Sequence, residues 1–209
     1  MTRRDFLWVT SAAAVAPAPA SASPQTPLLI PVNLVIDEHA KLGPKSQRKF
    51  WSRIWPEAHR EFERSGIWFR CTRSSGGVER PENCEPIVSG LRTDALNLVV
   101  TGSIPMEWDR GLALSGVATR YRGRHLCMIA LQHAHGNQIP LLSLNTCVHE
   151  ILHALLHDIF ENRPAGVSGQ MRELRVDWYA TRLWLFHDGA AIRQSAQQYV
   201  ERAAFPKLS

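Results

Sequence analysis

The segment His149-Glu150-Ile151-Leu152-His153 sets two imidazoles four residues apart. On a helix that spacing leaves them about 40° from one another on one face, close enough to grip a single ion. Glu150 stands about 100° round from His149, beside such an ion rather than on it, where a carboxylate can take a proton from metal-activated water. Two nitrogen ligands and one base are what a zinc hydrolase needs. A shuffled chain of this composition would contain the pattern about one time in fifty, so the motif alone does not separate a metal site from an amphipathic core helix with satisfied histidines.

A second acidic pair strengthens the metal reading. Glu173 and Asp177 lie one helical turn apart, and Glu173 follows His153 by 20 residues. Glu173 is expected as the third protein ligand. Asp177, on the same face, is expected to accept the other ring N–H of His149 or His153 and so fix its tautomer. The plain alternative for both is a solvated acidic helix face. His157 continues the stripe of His149 and His153, but a straight helix carries it too far along the axis to close a compact tetrahedral site, so it reads as packed beside the site. His133 and His135 read as surface loop residues, and Tyr179 and His187 as packing or surface residues.

These groups need elements to carry them. Leu28 to Asp37 is rich in β-branched and apolar residues and predicts a first strand, with others at 67–72 and 95–101. Phe50, Ile54, Ala58 and Phe62 recur every four residues and predict a helix over 46–65, kinked or split by Pro56. Residues 116–121 and 125–131 flank Arg122-Gly123-Arg124 and predict a hairpin, its first strand a candidate sheet edge. A helix over about 143–158 carries the histidines, one over about 170–187 carries Glu173 and Asp177, and Asp188-Gly189 divides the latter from a further helix. The order implies an α/β fold of the α+β kind: a twisted mixed sheet with a backing helix and an active-site helix, plus a small helical C-terminal subdomain.

HEILH followed by RELRVDWYATRLW resembles the gluzincin group of metallopeptidases, over residues 143–186 at motif level. The resemblance implies a Zn2+ cofactor held by His149, His153 and Glu173, with Glu150 as general base and Asp177 supporting a ligand. It implies hydrolysis of peptide bonds in a peptide or protein substrate. The upstream strands also resemble the general zincin fold, in which a twisted sheet lies over the active helix and its edge strand borders the cleft. The metzincin branch is disfavoured, because Leu156 stands where its glycine would be and Ile159 where its third histidine would be. The alternatives are a non-catalytic zinc-binding zincin acting as an extracytoplasmic protein-binding module, a binding domain without metal, and an amidase acting on a cell-wall peptide.

The N-terminus resembles a twin-arginine export signal. Arg3-Arg4 precede Phe6-Leu7, a mildly apolar Ala/Pro-rich stretch runs to Ala20, and Ala20-Ser21-Ala22 is a small-x-small cleavage pattern. Residues 1–22 are therefore expected to be a signal and 23–209 a single zincin-like domain, exported to the periplasm or beyond. Loss of residues 1–22 leaves 22 basic against 18 acidic residues, scattered without a basic run, so no nucleic-acid footprint is expected. No stretch of 18 apolar residues predicts a membrane span. Four cysteines suit an oxidising compartment; a Cys71–Cys84 bridge across the polar loop between them is expected, while Cys127 and Cys147 also read as small buried hydrophobes.

Overall fold

The structure, a computed structural model, describes residues 26–82, 84–104, 116–131, 140–156 and 189–203. Its centre is a five-stranded sheet. In chain order the strands are β1 (Leu28–Ile36), β2 (Ile67–Ser74), β5 (Leu96–Thr101), β6 (Gly116–Tyr121) and β7 (Arg124–Ala130). Their spatial order is β2-β1-β5-β7-β6. The first four run parallel and β6 alone is antiparallel, so the sheet is mixed and β6 forms one edge. All six residues of β5 are buried, as a nearly continuous apolar run on a central parallel strand requires.

The helices share one face of that sheet. Between β1 and β2 the chain forms α1 (Pro44–Lys49), a π-helical turn (Phe50–Ile54) and α2 (Trp55–Glu63). The expected stripe of Phe50, Ile54, Ala58 and Phe62 is buried along this path. Pro56 has no N–H to return to an earlier carbonyl; the helix widens in the turn before it, and the Trp55 N–H reaches Phe50 O. His59 accepts the backbone N–H of Phe69 through Nε2 at 3.1 Å, tying α2 to β2. Helix α3 (Pro140–Leu155) and helix α4 (Ala190–Arg202) contribute Ile151, Leu152, Leu155, Ile192, Ala196 and Tyr199 to the same core. The backing helix and the histidine helix therefore lie side by side rather than on opposite faces.

A short hairpin of β3 (Val78–Glu79) and β4 (Ile87–Val88) covers the other face, where Val78 and Val88 pack with Val35, Val99 and Met128. The Asp37 carboxylate holds it there, accepting the N–H groups of Val78 and His39 and the Thr101 hydroxyl. Strand β3 falls inside the stretch between Cys71 and Cys84 that the sequence reads as one polar loop, and β4 lies just beyond it. Their placement also corrects the expected Cys71–Cys84 bridge: all four cysteines are free thiols. Strand β2 runs on to Ser74, so Cys71 sits within it with its sulfur against Trp55 on the helix face, while Cys84 belongs to the hairpin covering the opposite face.

The turn between β6 and β7 is shorter than expected. Tyr121 pairs with Arg124, which leaves Arg122 and Gly123 as a two-residue loop, both at positive φ (49° and 77°). That is the type I′ geometry whose twist matches paired strands. Among the described residues no helix is long and apolar enough to cross a membrane.

Candidate metal centre

From Thr146 onward helix α3 is buried on almost every side. From Thr146 to Leu156 the half-buried positions are His149 and His153, and every other residue is buried. An apolar helix closed all round belongs in a core, and this one leaves a single seam at its two imidazoles. The rings stand edge to face, with centroids 4.7 Å apart and planes at 72°. Their Nε2 atoms face each other at 3.0 Å. Two imidazole nitrogens bound to one tetrahedral zinc at 2.0–2.1 Å stand about 3.3 Å apart, so this pair is spaced to share an ion.

Glu150 is buried on the same helix as the two imidazoles, 5% exposed. Its main-chain carbonyl accepts the Cys127 thiol of β7 at 3.2 Å. Its side chain lies against Gly116 at the start of β6: a Cβ placed on that glycine would stand 2.6 Å from Glu150 Oε1 and 2.7 Å from Glu150 Cγ, and would also overlap Thr146 Cγ2. The carboxylate therefore sits between the histidine helix and the sheet edge. Its charge reaches the two buried cysteines. Burial first, and the nearby Glu150 carboxylate second, push the Cys147 thiol up to about 12 and the Cys127 thiol well above its ordinary value.

The structure thus brings His149 and His153 together, with Glu150 buried on the same helix against the sheet edge. Among the described residues no group of three or more His, Cys, Asp or Glu side chains is placed to hold a metal. Glu173, Asp177, His157, Tyr179, His187, His133 and His135, and the helix expected over 170–187, lie outside the described residues. So do residues 1–22, where the export signal is expected. Gly116, Thr146 and Cys127 were not singled out from sequence as parts of the site. A glycine opening a strand is a recognised sign of close backbone approach, and that signal was present at Gly116.

A cavity of about 440 Å³ opens at the C-terminal ends of β1 and β2, lined by Leu34, Leu42, Gln47, Trp51 and Arg73 among others. Its lining takes no residue from α3, so it is separate from the histidine pair. The Arg73 guanidinium stacks on Trp51 at 3.7 Å from the ring centroid and shields one indole face. Comparison with protein-family models, with curated proteins and with solved structures finds no match for this chain.

Proposed function

We propose that this chain is an exported zinc metallopeptidase whose site is built on His149, His153 and Glu173, with Glu150 as general base. The observation that carries the proposal is the facing Nε2 pair at 3.0 Å, set at the two half-buried positions of a helix whose other residues from Thr146 to Leu156, Glu150 among them, are buried. His149 and His153 would hold the ion through these nitrogens, and Glu173 would complete a three-ligand set with an open fourth position. When bound, zinc supplies Lewis acidity and lowers the pKa of water toward 7.

Each remaining part of the chemistry falls to a side chain or a strand. Glu150 accepts a proton on a carboxylate oxygen and returns it to the departing amine. The histidines are half-buried, while the walls of Ile151, Leu152 and Leu155 exclude water from behind the site. Strand β6 borders Glu150 and is the last strand of the sheet, so an extended peptide can pair with its outer edge through main-chain hydrogen bonds. Such pairing binds a backbone with little regard to sequence.

The test combines metal analysis with hydrolysis of fluorescein-labelled casein by the mature protein. Wild type is expected to carry about one zinc per chain and to cleave casein. Glu150→Gln is expected to keep the zinc and to lose about 100-fold or more in rate. Full activity in zinc-loaded Glu150→Gln defeats the base assignment, and a wild type that takes up no zinc defeats the metal site.

A further inference from the structure

We propose that Gly116 is a positioning residue for Glu150, and that the β6–β7 hairpin works as a clamp that holds the Glu150 side chain in one position on the histidine helix. The inference rests on the reading of Glu150 as general base.

Three observations carry it. A glycine in a strand is costly, because it gives up more backbone freedom on folding than any other residue and packs no side chain. Turns and left-handed conformations are the usual reason to accept that cost, but Gly116 is not among the residues at positive φ. Space is the reason here, since a Cβ would overlap Thr146 Cγ2 and stand 2.6 Å and 2.7 Å from two atoms of Glu150. The stem of Glu150 therefore lies directly on the β6 backbone, and no side chain at position 116 can enter without moving it.

The second anchor is on the neighbouring strand. Cys127 donates to the Glu150 carbonyl at 3.2 Å. It pairs with Ala118, two residues along from Gly116 on the same face of β6. One hairpin thus fixes both ends of a single residue, the main chain through β7 and the side chain through β6.

Thr146 closes the third side from one turn earlier on α3, and it is 8% exposed. With the rotamer confined by backbone on one side and Thr146 on the other, Glu150 loses little further freedom on reaching its working position. A base displaced by about 1 Å forfeits on the order of 100-fold in rate, because proton transfer needs near-contact geometry. The tight fit turns a sheet edge into a holding device for the base.

The variant Gly116→Ala in the full chain tests this. Zinc content is expected to stay at the wild-type level, since neither His149 nor His153 appears among the nearest atoms met by the added methyl. On fluorescein-labelled casein kcat is expected to fall about 100-fold while KM changes by less than about threefold. Adding Thr146→Ser, which removes the methyl nearest the intruding Cβ, is expected to raise kcat above that of Gly116→Ala alone. A cycle of melting temperatures on metal-free protein reads the same contact without activity. Gly116→Ala should cost at least about 3 °C more in the wild-type background than in Glu150→Ala, where the obstructing stem is gone.

Zinc-loaded, active wild type together with a Gly116→Ala form of unchanged kcat overturns the clamp alone. Equal melting costs in the two backgrounds overturn it as well. A wild type that binds no zinc and cleaves nothing overturns the reading of the site, and the clamp's role in catalysis with it.

Discussion

Glu150 is held from two strands, and the residues around it carry the sharpest consequences of the site. The third ligand is the first. Glu173→Ala, dialysed against zinc-free buffer beside His157→Ala, is expected to lose its zinc while His157→Ala retains it. The reverse result moves the ligand onto α3 and removes Glu173 from the set. The second consequence concerns pH. Burial raises the Cys147 thiol from its ordinary 9.0 to about 12, and raises Cys127 in the same direction. The unfolded chain ionises these thiols near pH 9 while the folded chain cannot. Their contribution is therefore intact below pH 9 and is lost as pH rises above it, for Cys147 up to about 12. Urea melts between pH 8 and 11 should show this fall, and Cys147→Ala should flatten it. A profile unchanged by that substitution would mean that Cys147 ionises freely in the folded protein. The adjacent pair His149 and His153 was legible from spacing alone, because a helix places i and i+4 together wherever it sits. Gly116 was not, because its partner Glu150 is 34 residues further along the chain.

At the scale of elements, periodicity located what was long and local. Strand β1, the helical path through Pro56, the β6–β7 hairpin and the histidine helix all follow patterns that one segment displays by itself. Strands β3 and β4 are two residues each and owe their place to the Asp37 carboxylate and to the apolar face they cover, so no local pattern announces them. The hairpin invites a direct test. Arg122 occupies a left-handed conformation at φ 49° that asparagine adopts more readily. Arg122→Asn is expected to raise the melting temperature by about 1–2 °C. Gly123→Ala meets no atom within 4 Å, so its cost is conformational only, about 1–2 kcal/mol. A neutral Gly123→Ala would mean that the turn relaxes out of the I′ form.

Among the described residues the helices lie on one face of a mixed sheet and a small hairpin covers the other. That arrangement places β6 at the sheet edge and α3 beneath β6 and β7, which is how the histidine seam comes to open beside an unoccupied strand edge among the described residues. Under the proposed ligand set, a metal bound there would join α3 to the segment carrying Glu173 and so stabilise the native state alone. Zinc at about 100-fold above its dissociation constant is expected to add about 2.7 kcal/mol to chelator-treated protein, a rise of roughly 5–10 °C in melting temperature. Magnesium, which prefers oxygen ligands, should leave it unmoved. A zinc titration without a thermal shift would argue against a ligand set that spans the two segments.

The amino-acid sequence by itself determined the histidine pair, the carboxylate beside it and the elements that carry them, since each depends on spacing within one segment and backbone periodicity converts spacing into direction. Tertiary structure decided the rest: which face of the sheet each helix covers, that Cys71 and Cys84 part to opposite faces, and that a strand edge closes on Glu150. Those outcomes depend on contacts between residues far apart in the chain. Close packing, which admits Glu150 against Gly116 only because no Cβ is there, settles them after the chain has folded.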